Sequence, residues 1–258
     1  MGFFQSFGID AGKFPSEATG NCNYIPIKLF RIKRWQRAAK KDRKPIGEII
    51  ETESRQLSEV LTRATKGKLV DTIEFTLREI IRNVAEHSKA KQVGFVAQYW
   101  PRKEYVELAI LDSGIGFKKS LSKNPFLENE MSDNAALNYA LLPGVSGKMF
   151  KGKYKDPYDE WENSGFGLYM ASEICRNGGS FFACSGTAGT LLVKAKKENI
   201  KMSSPYTAIR LRLATRQLKP TADALSKYHK KGEKVAKKIH GANISASAAS
   251  TMLARDFG

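Results

Sequence analysis

The stretch YVELAILDSGIG, residues 105–116, combines the pattern of a β-strand with that of a glycine turn. Val106, Leu108 and Ile110 alternate with less apolar residues, which is typical of a strand with one buried face. Residues 92–100 have strand character and precede it across the short connection 101–104. We therefore expect the two segments to pair as a β-hairpin.

The strand ends at Asp112, and Gly114 and Gly116 follow at once. Asp-Ser-Gly suits an ordinary turn, because the Asp side chain can bond to nearby backbone and glycine accepts positive φ. A carboxylate at this place could equally accept a hydrogen bond from the edge of a purine base. The turn alone does not choose between the two interpretations.

A helix is predicted upstream, over residues 71–90, because apolar residues recur there with helical spacing. Asp71 and Glu74 have the spacing of a capping box at its start. The predicted helix also carries one polar stripe, formed by Glu79, Asn83, Glu86 and His87.

The polar stripe contains side chains with useful chemistry. The side-chain oxygen of Asn83 can ligate Mg²⁺, a cation that prefers oxygen ligands. Glu79, one turn earlier, can orient or deprotonate an attacking water. His87 can contact a phosphate or cap the helix end. A solvated helix face explains the same stripe without any site.

A second glycine turn, with Gly165 and Gly167, precedes a predicted helix over residues 168–176. Free backbone amides and the positive end of the helix dipole make such a start a natural place for a phosphate. The glycine pair is weak evidence by itself, because many structural turns share it.

The order of these parts resembles that of the GHKL ATPases, the family of gyrase, Hsp90, histidine kinases and MutL. The shared pattern is Glu79-x-x-x-Asn83, then Asp112-x-Gly-x-Gly116, then Gly165-x-Gly167. The resemblance covers a little over half of the chain. It implies an α+β fold of the Bergerat type, a two-layer α/β sandwich with mixed strands on one side and helices on the other, and nucleotide between the layers.

The resemblance also implies roles for individual residues. Asp112 would accept a hydrogen bond from the adenine amino group and so select adenine over guanine. Asn83 would bind Mg²⁺, and Glu79 would serve as the base. The family places His at the position of His87 in several members. Further contacts to ATP would come from Gly114, Gly116, Gly165, Phe166, Gly167 and Leu168.

In this family a Gly-Thr pair leads the last strand, and its Thr contacts adenine through a water. The chain offers Thr190, which follows Gly189, and Thr207, which has no preceding glycine. We favour Thr207, because related ATPases often carry an insertion before a final strand that begins with this Thr.

Residues 117–164 form a connection too long for an ordinary loop, and their position matches the ATP lid of the family. We call them the lid segment. A helix is predicted over residues 132–142. Lys148 is the first candidate for a lysine that reaches the γ-phosphate, and a solvated lysine is the alternative. Residues 143–147 include two glycines and suggest a hinge.

The net charge of +17 is concentrated in two segments. Residues 28–44 hold nine basic residues and one acidic, and residues 210–240 hold ten basic and two acidic. Nucleic acid, an acidic protein or an anionic membrane surface could bind such segments, and Trp35 could stack on a base. Solvated helix faces are the alternative.

These patterns divide the chain into a basic N-terminal segment, an ATP-binding domain and a basic helical tail, at residues 1–45, 46–214 and 215–258. A chain of 258 residues with 41% hydrophobic content can bury a sizeable core. It contains neither a run that could span a bilayer nor a signal-peptide pattern, so we expect a cytoplasmic protein. A homo-oligomer is left open.

Together the patterns predict a protein that binds ATP and Mg²⁺ and acts as an ATPase switch, in which closure of the lid segment changes a contact with a protein partner. Two alternatives remain open. One is a protein kinase of the histidine-kinase or anti-sigma serine-kinase type. The other is a nucleic-acid-binding module that ATP gates.

Overall fold

The computed structural model describes residues 20–21, 23–154, 164–217 and 222–244, which form an α+β structure. The strands are β1 (Tyr24–Arg31), β2 (Gln92–Trp100), β3 (Tyr105–Asp112), β4 (Ser180–Val193) and β5 (Lys196–Ala214). The helices of the described residues are α1 (Ile32–Asp42), α2 (Ile46–Thr62), α3 (Lys68–Asn83), α4 (Gly116–Leu121), α5 (Asp133–Ala140), α6 (Gly167–Arg176) and α7 (Ala222–Ala236).

The five strands form one sheet in the order β1-β2-β3-β5-β4, and each neighbouring pair is antiparallel. The expectation of mixed strands is therefore wrong. Short connections join β2 to β3 and β4 to β5, so each of these pairs must run in opposite directions. β5 then returns alongside β3, and the pairing register places Asp112 opposite Thr207.

One face of the sheet is buried against the helices. Val106, Leu108 and Ile110 of β3 lie in a core that also contains Ile80 of α3 and Ile174 of α6. This is the face that the alternation in the sequence predicted. The arrangement is compatible with a two-layer sandwich of sheet and helices. Among the described residues, no helix is both long and apolar enough to cross a membrane.

The basic N-terminal segment is not a separate appendage from Tyr24 onward. β1 is an edge strand of the sheet, and α1 buries Ile32, Trp35 and Ala39. These residues have the spacing of one helix face, which is why α1 packs inward. The Trp35 ring is 2% exposed and stacks on Phe30 with 5.8 Å between ring centroids. Its expected stacking on a nucleic-acid base is therefore wrong.

The capping-box prediction for α3 is also wrong, because the helix begins at Lys68 rather than at Asp71. Asp71 and Glu74 instead accept hydrogen bonds from the Arg55 guanidinium of α2, at 2.8 and 2.6 Å. The two carboxylates predicted to cap the helix backbone therefore bind a cation on the neighbouring helix. The salt bridges join α2 to the first turns of α3.

The lid segment contains α4 and α5, and Ser132 caps α5 by accepting a hydrogen bond from the Ala135 amide at 3.1 Å. The predicted helix over residues 132–142 is confirmed with slightly shorter bounds. Residues 155–163 of this segment lie outside the described residues.

The expected hinge at residues 143–147 is buried and bonded, so it does not have the freedom that its glycines suggested. The Gly144 amide donates to the Gly165 carbonyl at 3.1 Å, and the Asn124 side-chain amide donates to the Ser146 carbonyl at 2.9 Å. The first bond joins the lid segment to the turn before α6.

The C-terminal segment is helical as predicted, but α7 packs against α6 instead of extending away as a tail. Lys231 of α7 lies 2.6 Å from the Glu173 carboxylate, and His229 stacks on Phe166 with 5.7 Å between ring centroids. The small residue Gly232 allows the contact, because a Cβ there would lie 2.7 Å from the Tyr169 ring.

After α7 the chain returns to the lid segment through residues 239–243, which we call the C-terminal clasp. The Asn243 amide donates to the Gly144 carbonyl at 2.9 Å, and the Lys151 amide donates to the Gly241 carbonyl at 3.0 Å. The His240 ring lies 5.1 Å from the Phe126 ring. The clasp therefore holds two separate parts of the lid segment.

Candidate functional site

A cavity opens where the C-terminal end of α3, the turn after β3, the lid segment and the start of α6 meet. Its enclosed volume is about 80 Å³, and the wider cleft of about 680 Å³ includes open solvent. Several of the residues predicted from the sequence line this one cavity: Asn83, His87, Asp112, Gly116, Gly165, Gly167, Leu168 and Thr207. Its apolar wall comes from Val84, Phe117, Leu121, Ala140, Val145 and Ile209. A largely apolar cleft with a few converging polar groups is the usual form of a small-molecule site.

Asp112 supplies a buried carboxylate to this cavity. The residue is 4% exposed, and the Gly114 amide donates to its Oδ1 at 2.8 Å. Burial raises the pKa of Asp112, and hydrogen bonds from Gly114 and from the Ser88 hydroxyl act against this rise. The carboxylate retains further acceptor positions, since an ionised Asp has about four. It can therefore accept a hydrogen bond from a ligand in the cavity.

The turn after Asp112 is joined to the end of the α3 region. The Ile115 amide donates to the Ser88 carbonyl at 2.7 Å. A Cβ on Gly114 would lie 2.1 Å from that same carbonyl oxygen, so only glycine allows the close approach. Gly114 does not line the cavity. Its part is to hold the loop that carries Asp112 against Ser88.

Thr207 lies at the cavity, and Thr190 does not line it. Thr207 pairs with Asp112 across the sheet, and its hydroxyl shares a hydrogen bond of 3.3 Å with the Ser185 hydroxyl. Thr190 is buried further along β4, where its hydroxyl donates to the Asn199 side chain at 3.3 Å. The geometry favours Thr207, although β5 runs unbroken from Lys196 to Ala214 without the expected insertion.

The α-helical pattern predicted as far as residue 90 changes after Asn83. Val84–Ser88 form a π-helical turn, a wider turn that is frequent at functional sites. Asn83, His87 and Ser88 all line the cavity as a result. Glu86, which the sequence placed on the same stripe, instead accepts a hydrogen bond from Arg82 at 3.0 Å. Sequence reasoning missed Ser88 because the spacing of an ordinary helix does not bring it to this face.

His87 is neutral at physiological pH. Burial, with the nearby cations of Lys148, Arg82 and Lys123, lowers the pKa of His87 to about 3. The neutral imidazole has one donor and one acceptor nitrogen. His87 can therefore contact a phosphate only as a hydrogen-bonding group and not as a cation.

The cations that act on His87 form a positive group beside the cavity. The pKa of Lys148 is lowered, first by partial burial and then by Lys123, Lys153 and Arg82, while Glu86 acts in the opposite direction. Lys148 does not line the cavity, but its charge reaches His87, which does. Lys123 was not predicted for the site, since one lysine in a Lys-rich segment carries no signal of its own.

Glu79 lies behind the cavity, one turn from Asn83. It is 5% exposed, and its Oε1 lies 3.6 Å from the Arg78 guanidinium and 3.8 Å from that of Arg82. Within the described residues Oε1 accepts no hydrogen bond. A Cβ on Gly167 would lie 2.1 Å from Oε2, so the carboxylate contacts the first residue of α6 directly. Glu79 is thus separated from the cavity by the backbone of Gly167.

The start of α6 presents backbone to the cavity. The N-cap residue, Phe166, has no side-chain group that could cap the helix, and Gly165, Gly167 and Leu168 line the cavity. The Phe166 ring is fully buried beneath α7 and does not line it. Phe166 could therefore serve a ligand only through its backbone. Uncapped amides at a helix start are suited to a phosphate.

Asn83, the metal ligand predicted from the sequence, lines the cavity. The described part of the chain contains no group of three or more His, Cys, Asp or Glu side chains that could hold one. Mg²⁺ commonly keeps several waters and binds through few protein oxygens together with substrate phosphates. Asn83 at the cavity fits this mode of binding and does not by itself make a metal site.

No protein-family model matches the chain, and no curated protein is significantly similar to it.

Proposed function

We propose that the protein binds ATP with Mg²⁺ in this cavity and acts as an ATPase switch. The observation that carries the proposal is the convergence of the buried Asp112 carboxylate, the Asn83 and His87 side chains and the backbone at the start of α6 on one apolar cleft. Asp112 suits adenine and Asn83 suits a metal ion. His87 and the start of α6 suit phosphates.

Asp112 recognises adenine in this proposal. Its carboxylate accepts a hydrogen bond from the exocyclic amino group, while Ile209 and Val84 provide apolar contact for the ring. Thr207 lies opposite Asp112 in the sheet and adds a hydroxyl on the same side. Guanine has no amino group at that edge, so its carbonyl would face the carboxylate. Two acceptors would then meet in a buried place, which is unfavourable.

The phosphates lie at the start of α6 in this proposal, where backbone amides and the helix dipole stabilise negative charge. Lys148, Lys123 and Arg82 add positive charge near His87. Asn83 holds Mg²⁺ together with phosphate oxygens and water. The lid segment covers the bound nucleotide and excludes water from it.

Glu79 acts on the attacking water. Its Oε1 accepts no hydrogen bond within the described residues, and its contact with Gly167 keeps the carboxylate directly behind the proposed phosphate position. The backbone of Gly167 must therefore shift for the carboxylate to reach a water in the cavity. The flanking arginines hold the carboxylate in one orientation. Glu79→Ala should leave ATP affinity within a few-fold and lower turnover, because the residue acts on water and not on the bound nucleotide.

The C-terminal clasp connects the cavity to a partner contact. Gly144 and Lys151 of the lid segment bond to Asn243 and Gly241 of the clasp. A change of the lid segment between nucleotide states must therefore move or break these bonds. The clasp and α7 become the surface through which ATP alters the binding of a protein partner.

Isothermal titration calorimetry with ATP and GTP, each with and without Mg²⁺, tests the proposal. The expected result is Mg²⁺-dependent binding of ATP and much weaker binding of GTP. Equal affinity for the two nucleotides would remove the role of Asp112, and no ATP binding would overturn the proposed function. Phosphate release by wild type and Glu79→Ala then separates hydrolysis from binding.

A further inference from the structure

The outer face of α1 carries an unusual concentration of positive charge. Five exposed cations, Lys33, Arg34, Arg37, Lys40 and Lys41, lie on an arc of about 120° at 100° per residue. This arc is directly opposite the buried side of the helix, where Ile32, Trp35 and Ala39 enter the core. Asp42, the one acidic residue of α1, lies outside the arc.

This cationic face is not neutralised by neighbouring groups. None of its five side chains makes an ion pair with a carboxylate of the described residues. Arg37 has like charges three or four residues away on both sides, at Lys33, Arg34, Lys40 and Lys41, an arrangement that destabilises a helix. Lys33 and Arg34 also lie at the positive end of the helix dipole.

Lys91 adds an exposed cation next to the start of α1. Its carbonyl accepts a hydrogen bond from the Ile32 amide at 3.1 Å, and its side chain is exposed. The face is about 12 Å long from Lys33 to Lys41. Each strand of a nucleic-acid duplex carries one phosphate per ~3.4 Å of axis, so the face spans about four phosphates of one strand.

We propose that α1 is a docking surface for the phosphate backbone of double-stranded nucleic acid, with no preference for base sequence. A duplex is favoured over a single strand, because Trp35 is buried and the face presents no aromatic ring on which a base could stack. It is favoured over a lipid surface, because the large apolar side chains of α1, Ile32 and Trp35, are in the core and cannot enter a bilayer.

α7 offers a matched control for this surface. The contacts between helices run in the series α1, α2, α3, α6 and α7, which places α1 and α7 at its opposite ends. Lys227, Lys230 and Lys234 of α7 are exposed cations at similar helical spacing. A triple substitution on either helix therefore changes the net charge of the protein by the same amount at two distant places.

The test is a fluorescence-anisotropy titration of labelled duplexes of two unrelated sequences, and of one of their single strands, at several salt concentrations and without nucleotide. It uses the full chain as wild type, as Lys33→Glu/Arg37→Glu/Lys41→Glu, and as Lys227→Glu/Lys230→Glu/Lys234→Glu. Circular dichroism verifies that each variant is folded. The absence of nucleotide makes the outcome independent of the proposed ATP site.

We expect equal affinity for the two duplexes and weaker binding of the single strand. The α1 variant should lose at least about tenfold in affinity, and its slope of log affinity against log salt should fall by about 2.7, at about 0.9 per lost phosphate contact. The α7 variant should retain most of the binding.

Three results would overturn the proposal. Equal losses of affinity in the α1 and α7 variants would mean that binding depends only on the net charge of the protein. Tighter binding of the single strand would require contacts to bases. Failure of wild type to bind either duplex at low salt, with binding to phosphatidylserine vesicles or polyglutamate instead, would assign the surface to a membrane or an acidic protein.

Discussion

The carboxylate of Glu79 on α3 lies directly against the backbone of Gly167, the first residue of α6. A methyl group at Gly167 would lie 2.1 Å from Glu79 Oε2 and 3.2 Å from Glu79 Cβ. The two helices that carry the proposed base and the proposed phosphate site are therefore in contact through these two residues. Any side chain at position 167 would force them apart.

Gly167→Ala should lower the free energy of unfolding by roughly 1–3 kcal/mol, the usual range for overpacking a buried site. Glu79→Ala in the same chain should recover much of this loss, because it removes the atoms that the new methyl group meets. Urea denaturation of the wild type, both single variants and the double variant gives the coupling energy. Gly94→Ala is the control, since its Cβ would meet only contacts of 3.5 Å or more. Additive effects of the two substitutions would contradict the contact.

Asp112→Asn should weaken ATP binding by roughly 10- to 100-fold, which corresponds to about 1.5–3 kcal/mol for a lost charged acceptor. The same substitution should raise the thermal midpoint at neutral pH. Burial raises the pKa of Asp112 above its usual 3.8, so the folded protein disfavours the ionised form, and this penalty disappears as pH falls below 3.8. Calorimetry and thermal melts at several pH values measure both effects. Glu107→Gln, on the same strand but away from the cavity, should change ATP affinity little.

Thr207→Val should lower ATP affinity several-fold, because it removes the only hydroxyl that the two candidate threonines bring to the cavity. Thr190→Val is its matched control, as Thr190 bonds to Asn199 and does not line the cavity. Titration calorimetry with ATP on both variants shows which threonine contacts the nucleotide. A larger loss of affinity in Thr190→Val would reverse the assignment.

His87 should make the protein less stable in acid. Its folded pKa of about 3 is lower than its ordinary value of 6.5, so between these values the unfolded chain binds a proton that the folded chain does not. The contribution of the neutral His87 to the free energy of unfolding is fully present above pH 6.5 and is lost as pH falls toward 3. His87→Asn should flatten this part of a plot of thermal midpoint against pH. An unchanged slope in the variant would show that His87 does not titrate in this way.

Gly241→Ala should loosen the C-terminal clasp. Gly241 has φ +77°, and a Cβ there would lie 2.1 Å from the Phe126 ring, so the substitution strains the backbone and displaces the ring. Backbone amides of residues 144–151 should exchange hydrogen several-fold faster, and bound nucleotide should dissociate faster. Lys231→Ala is the control, because it removes a salt bridge to α6 and leaves the clasp intact. Equal exchange rates in the Gly241 variant and wild type would exclude a clasp that restrains the lid segment.

The segments that sequence patterns located well have strong local signals. β2 and β3 follow from alternation, and α6 follows from a glycine turn, a helical apolar spacing and terminal glycines. Asp112, Gly116 and Gly167 were also found from local signals, because a strand end or a helix start is recognisable from a few neighbouring residues. The roles that the resemblance assigns to these residues remain predictions.

Other features depend on residues that are distant in the chain, and local sequence patterns carry little information about them. α3 begins at Lys68, before the predicted start, and Asp71 and Glu74 bind Arg55 of α2 instead of capping the helix. The preference for Thr207 over Thr190 gained structural support only from the register of β3 with β5, which places Thr207 beside Asp112. The clasp was not foreseen, because backbone hydrogen bonds carry no sequence signature.

The amino-acid sequence by itself located β2, β3 and α6 and the turns that expose a carboxylate or backbone amides, because periodicity and turn chemistry act over a few residues. Tertiary structure alone decided what those segments contact. It buried Trp35, left the cations of α1 exposed, placed Glu79 behind Gly167 and joined the C-terminal clasp to the lid segment. Each of these outcomes depends on packing between distant parts of the chain, where shape and burial outweigh local preference.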